Sequence, residues 1–248
     1  MPISACKKQA KLRLKARRLR AFRITLSIFA LAVLSGFAAF CLPLVTPDDD
    51  RLRLAAQLAL CIVCFGFLGT LRQGRTAWLY CCACGKEPSG VQFLYWIRRG
   101  RGLRAAWLHA MLFLRKSAWT LLLCLPGAAV LAAGVYYADR QTDIMRYFTL
   151  IGGAVCLAIG LVFSCLICQK FALAPILFAR NPKKGVRSAV RASGFLMDGS
   201  CLRLFLLKLS FLPWIVPCAA VLPLVYILPY YQQSEACMLR EILRAHTI

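Results

Sequence analysis

The sequence predicts an all-α, polytopic membrane protein with about five transmembrane helices and interfacial amphipathic helices between them. Three observations carry this prediction. First, 60% of the 248 residues are hydrophobic and the mean hydropathy is +0.67, above the composition of a typical soluble domain. Second, apolar runs recur at about the 20-residue length that a spanning helix needs. Third, the basic residues cluster in three blocks, Lys7–Arg23, Arg72–Lys116 and Lys170–Arg203, which hold 25 of the 32 Lys and Arg. The gaps between blocks carry the acids Asp48, Asp49 and Asp50, then Asp139 and Asp143. This alternation is the positive-inside pattern, so the N-terminus and the blocks are expected in the cytosol and the acidic turns outside.

The blocks also account for most of the formal charge of +23. Topology explains that charge, so no nucleic-acid partner is expected. Anionic lipid headgroups at the cytosolic face are expected partners, at about 1 kcal/mol per surface Lys or Arg.

Residues 1–23 form a basic tail. Leu12, Ala16 and Leu19 stand at helical spacing, which leaves two readings: a helix lying on the membrane or a solvated tail. Ile24–Val45 is the first span. Its basic leader is long, its apolar run exceeds a usual signal-peptide core, and no small-residue cleavage site follows before Pro47, so it is read as uncleaved. A short turn with Pro47 and the three aspartates leads to the second span, Leu54–Leu71, antiparallel to the first. The remaining spans are expected at about 117–137, 147–169 and 209–229.

Gln73–Lys116 is the longest stretch expected outside the membrane. Lys86-Glu87-Pro88-Ser89-Gly90 reads as a turn. Phe93, Tyr95 and Trp96 precede Arg98, Arg99 and Arg101, a mixture suited to the headgroup layer. Leu103–Leu114 is too short to span and reads as interfacial or as a lead-in to the third span. That span holds Pro126 and Gly127, a predicted helix break, because proline removes a backbone hydrogen bond.

The fourth span has the clearest pattern. Gly152, Cys156, Gly160, Ser164 and Cys168 recur every four residues. Such small residues let helix backbones approach closely. A packing seam within the protein is expected, with a homodimer seam as the other reading. Asn181-Pro182 then starts a turn, and Lys183–Met197 reads as an amphipathic helix with Val186, Val190 and Ser193 on one side. Leu204–Pro229 contains Pro213, Pro217, Pro223 and Pro229. The expected arrangement has Lys208 snorkelling to the headgroups and one span over Leu209–Pro229, which sends the C-terminus outside. The alternative folds Pro213–Pro223 back as a re-entrant turn, with its free backbone groups covered by protein.

Fourteen cysteines suggest chemistry, but most lie in apolar spans, where cysteine acts as a small hydrophobe. Cys81, Cys82 and Cys84 form a cluster at a membrane edge, with no partner ligand at metal-site spacing. No metal or cofactor is therefore predicted. His109, Asp198, Lys208 and Glu235 are the polar groups an enzyme could use, yet no two share a recognisable spacing. No H-E-x-x-H, P-loop or G-x-S-x-G motif is present, and no catalytic residue is assigned.

Asn181-Pro182, Ala189, Ser193, Met197-x-Gly199, the run Leu204-Phe205-x-Leu207-x-Leu209-Ser210-Phe211-x-x-Trp214, and Pro229-Tyr230 follow one another in the C-terminal third. Together they resemble a family of bacterial integral membrane proteins catalogued as domain of unknown function nine-seven-five. Trp119-Thr120-Leu121-Leu122 leading to Pro126-Gly127 resembles its earlier hallmark. The resemblance implies a plasma-membrane protein and supplies neither an activity nor functional residues. The expected function is non-enzymatic: organising or assisting membrane partners, with a homo-oligomer or another membrane protein as candidate partner. The alternative is a permease or transporter subunit with broken helices at Pro126-Gly127 and Pro213–Pro223. The near absence of ionisable residues inside the spans weighs against that alternative.

Overall fold

The computed structural model describes residues 2–15, 17–45, 50–88, 100–137, 142–215 and 221–246. Among these the regular structure is entirely helical. The helices are α1 (Ile3–Leu14), α2 (Arg18–Val45), α3 (Asp50–Ala83), α4 (Gly102–Tyr136), α5 (Asp143–Cys168), α6 (Ala174–Arg180), α7 (Val186–Leu196), α8 (Cys201–Leu209) and α9 (Val221–Ala245). Short 3-10 turns at Gln169–Phe171, Pro182–Lys184 and Leu212–Ile215 punctuate the second half. Four stretches of the described residues are long and apolar enough to cross a membrane: Arg18–Cys41, Arg51–Ala83, Gly102–Tyr136 and Ile144–Arg180. The protein is an all-α membrane protein. Asp48, Asp49, Asp139, Phe93, Tyr95, Trp96 and Pro217, which entered the sequence argument, lie outside the described residues.

Two helices are much longer than their apolar runs. The 34 residues of α3 extend about 51 Å at 1.5 Å per residue, against a hydrocarbon core of roughly 30 Å. The expected end at Leu71 is where the apolar run stops, and the helix continues another three turns. Likewise α4 starts at Gly102, so Leu103–Leu114 is the lead-in to the third span and one helix with it. These extensions are stable because they bury side chains: Trp78, Leu79 and Cys82 on α3, and Ala105, Leu108 and Leu112 on α4.

Burial is concentrated at this basic end of the molecule. One cluster joins Cys6, Leu173, Ile176, Met197, Leu204, Leu207, Phe211, Met238 and Ile242. A second packs Ala105 and Leu108 against Phe171, Phe178, Val186 and Val190. A third packs Ala10, Leu14 and Ala21 against Trp78, Ala83, Ala236 and Cys237. In the apolar windows of the four spans only 11–17% of residues are buried. Large side chains such as Phe29, Phe37, Phe40, Ile62 and Ile151 point outward there, as lipid-facing positions should. Hydrophobic packing thus holds one layer together, while the bilayer solvates the other.

The N-terminal tail belongs to the packed layer. Cys6, Ala10 and Leu14 are buried, and they lie on one helical face at four-residue spacing. This corrects the expected face: Leu12 and Leu19 are exposed, and Ala16 lies outside the described residues. The buried stripe uses small and sulfur-bearing side chains and was obscured by lysines and arginines around it.

The last segment also departs from expectation. The interval 209–229 is not one helix: α8 stops at Leu209, Pro213 sits in a 3-10 turn, and α9 starts at Val221 with Pro223 near its start and Pro229 inside. The Phe211 ring lies 5.3 Å from that of Tyr230 and 5.4 Å from that of Tyr231. Lys208 and Glu235 form an ion pair at 2.8 Å. Residues 212–229 therefore begin and finish at the same place, whereas a span would hold its two ends about 30 Å apart. The single-span expectation is corrected on this ground. The second half of α9 packs on α1 and α3, with Cys6 Sγ 3.8 Å from Met238 Sδ.

The end of α3 is where these pieces are fastened. Gly85 has φ +79, a left-handed conformation that costs glycine nothing. The Lys86 N–H donates to Cys81 O at 3.1 Å and the Gly85 N–H to Cys82 O at 3.0 Å, which is a Schellman closure. The Ala83 carbonyl accepts from Arg240 of α9 at 2.8 Å and also from Arg13 of α1. Two guanidinium groups thus sit at the negative end of the α3 dipole.

α4 and α5 form the closest pair. A Cβ at Gly160 would collide with the Leu123 carbonyl, one at Gly127 with the Leu157 backbone, and one at Gly153 with Leu131. Thr120 Oγ1 and Ser164 Oγ share a hydrogen bond at 2.6 Å. Cys156 is half-buried, and Gly152 faces open space. The seam therefore runs through Gly153, Gly160 and Ser164. At about 100° per residue, each four-residue step drifts about 40°, while the eleven residues from Gly153 to Ser164 return within about 20°. Pro126 removes one backbone hydrogen bond, and α4 runs on through it to Tyr136. Gly127 beside it serves the close contact with α5.

Three outcomes follow. Reporters fused at the two ends of the chain should give the same sidedness; opposite sidedness would refute the return of residues 212–229. Gly160→Leu should destabilise the protein by about 1–3 kcal/mol, through overpacking, while Gly152→Leu should leave thermal unfolding in detergent unchanged. Arg240→Ala should cost about 2 kcal/mol, the scale of a lost charged hydrogen bond, and Arg240→Lys should recover part of it in the same assay.

Candidate functional site

The packed layer holds a partly open cavity of about 560 Å³ where the spans meet the basic end. Each wall is a helix face at regular spacing. α3 contributes Arg72, Arg75, Thr76 and Leu79; α4 contributes His109, Leu112, Phe113 and Lys116; α9 contributes Gln232, Glu235, Ala236 and Leu239. Residues three, four and seven apart share a face, so these side chains converge without any distortion. Lys208 reaches in from α8, and Ala172 and Pro175 close the side between α5 and α6. Gly69 lets α3 and α4 approach at the rim: a Cβ there would lie 3.3 Å from His109 Cβ.

The charge is unbalanced. Arg72, Arg75, Lys116 and Lys208 face a single carboxylate, Glu235, leaving three positive charges in excess. Glu235 is engaged by Lys208 at 2.8 Å. Burial lowers the Lys208 pKa, but Glu235 and the Tyr231 hydroxyl beside it outweigh that and the net shift is upward, so Lys208 stays charged at neutral pH. Among the described residues Arg72, Arg75 and Lys116 make no ion pair. Arg75 Nε and His109 Nε2 are buried and have no hydrogen-bond partner. Each buried polar atom left so costs about 1–3 kcal/mol, a cost that a ligand with acceptor oxygens would remove.

Of the polar residues singled out from the sequence, His109, Lys208 and Glu235 come together here, and Asp198 lies apart, exposed in the turn between α7 and α8. The packing residues Gly152, Cys156, Gly160 and Ser164 and the prolines Pro126, Pro213 and Pro223 do not line the cavity. Cys82 is buried and Cys81 and Cys84 are half-buried at the closing turn of α3. Among the described residues no group of three His, Cys, Asp or Glu is placed to hold a metal ion. Sequence reasoning missed Arg72, Arg75 and Lys116 as site residues because it absorbed them into the topology signal. The available clue was their position: each stands within a helical turn or so of an apolar run, on a face shared with other polar residues.

No curated protein and no solved structure matches the chain. The family comparison does match, across α4 to α9 and so across most of the cavity walls, with α3 supplying the wall outside it. Residues 101–246 fit the family described as Protein of unknown function (DUF975), and the chain belongs to that family.

Proposed function

We propose that the protein is a non-enzymatic plasma-membrane protein that organises or assists other membrane components from its basic face, with both chain ends in the cytosol. The observation that carries this reading is the concentration of all three buried clusters, and of the charged cavity, in one basic layer. The spans themselves carry no Asp, Glu, Lys, Arg or His over 24–41, 54–71, 117–136 or 147–168. Proton and ion paths are normally marked by such residues. The outer face of the layer suits attachment. On α7, Val186, Ala189 and Val190 are buried, while Arg187 and Arg191, with Lys183 and Lys184 before them, are exposed. Anionic lipid and a second membrane protein, another copy of this chain included, are the proposed partners; nucleic acid is not.

A permease is the second reading. It is favoured by the segment 212–229, whose ends meet at Phe211 and Tyr230 in the manner of a re-entrant stretch, a common element of transporter sites. Flux distinguishes the two. Proteoliposomes containing the purified protein should be no leakier than empty vesicles to protons, alkali cations, chloride, phosphate and amino acids. Saturable uptake of any of these would overturn the organising role and establish the permease.

A further inference from the structure

We propose that the cavity between α3, α4, α8 and α9 is a discrete binding site for a phosphate group carrying an apolar moiety, held by Arg72, Arg75 and Lys116 with His109 behind them. The proposal deepens the reading above by giving the basic layer a ligand class, and it rests on that reading only for the nearness of the layer to a membrane surface.

Several independent features point to this ligand. Arg72, Arg75 and Lys116 converge from two helices on one space and make no ion pair among the described residues, the carboxylate there, Glu235, being engaged by Lys208. Like charges held together repel, and an anion between them removes the repulsion. The buried Arg75 Nε and His109 Nε2 lack partners, so hydrogen-bonding capacity is in place inside the cavity and unused. A phosphate offers several oxygens to donors arriving from different directions, and guanidinium groups match it in geometry. A carboxylate has only two oxygens, and the protein already supplies one in Glu235, bound to Lys208.

The size and the other wall complete the description. About 560 Å³ is within the ordinary range for a small-molecule site and excludes a macromolecule. Phe65, Leu68 and Phe113 line the side toward the spans. The Phe65 and Phe113 rings meet edge to face with centroids 5.5 Å apart, and Phe113 is 61% exposed. That wall continues into the outward apolar surface of the spans. A phosphate among the cations with a chain along Phe65 and Phe113 fits both halves. The phosphate could come from a lipid headgroup or from a soluble organic or inorganic phosphate, and the two sources differ in their need for the aromatic wall.

The test uses the full chain in a neutral detergent. Binding and thermal stabilisation are measured with phosphatidylglycerol, with phosphatidylcholine, with glycerol phosphate and with inorganic phosphate. Saturable phosphatidylglycerol binding, weakened about tenfold or more by Arg72→Gln with Arg75→Gln and by Lys116→Gln, is the expected result. Lys11→Gln with Lys15→Gln, exposed at the end of α1 and lining no part of the cavity, should change it by less than about twofold. Equal strength with glycerol phosphate or inorganic phosphate would keep the phosphate site, assign it a soluble ligand and overturn the apolar half of the proposal. Equal loss in the Lys11 and Lys15 variant would overturn the proposal in favour of diffuse surface charge, and so would the absence of saturable binding in every arm. Lys116→Gln, on the cavity rim, serves if the double arginine variant does not fold. Binding without flux keeps both proposals. Binding with phosphate flux keeps the site and removes the organising role, and neither binding nor flux removes the site alone.

Discussion

The last turn of α3 is the point on which the structure depends. Its carbonyls lie about three helical turns beyond the apolar run that ends at Leu71, and the last carbonyls of a helix need partners outside it. Arg13 and Arg240 provide them at the Ala83 carbonyl, from helices near opposite ends of the sequence. This fastening brings α1 and the second half of α9 onto α3, and their contact buries Ala10, Leu14, Ala236 and Cys237 around Trp78. The burial of Met238, Ile242 and Leu243 and the Lys208–Glu235 ion pair hold α9 in the same place, and this sets Gln232, Glu235, Ala236 and Leu239 on the cavity wall.

The molecule uses two solvents and two sources of cohesion. In the layer at the basic end, burial of Leu173, Ile176, Leu204, Leu207 and Leu243 follows the rules of a water-soluble core. Within the spans, apolar side chains face outward and the helices are joined by close backbone approach at Gly127, Gly153 and Gly160 and by the Thr120–Ser164 hydrogen bond. Lipid supplies no hydrophobic push between helices, so packing and hydrogen bonding must do the work. The cavity sits where the two regimes meet, which explains why it has cations on one side and phenylalanines on the other.

Much of this was legible from residue order. The apolar runs marked α2 to α5, and the spacing of Val186, Val190 and Ser193 marked the buried face of α7. The lengths of α3 and α4 were not legible, because helix continuation past Leu71 and before Ser117 depends on burial against α1, α7 and α9. The packing seam was half legible. Small residues at four-residue intervals announced it, but the drift of an α-helix relative to a period of four moved Gly152 off the face and brought Gly153 onto it. Of the site, His109, Lys208 and Glu235 were visible as isolated polar residues with no shared spacing.

What the sequence by itself determined was the solvent of each segment. Composition alone sorts apolar runs into lipid and basic blocks out of it, since the free energy of transfer belongs to each side chain and needs no neighbour. Tertiary structure alone decided that residues 212–229 start and finish beside the same rings, that the basic tail is a packed helix, and that Arg72, Arg75, His109, Lys116, Lys208 and Glu235 share one space. Those are relations between helices distant along the chain. They are set by which faces can be buried together and which backbone carbonyls must be satisfied.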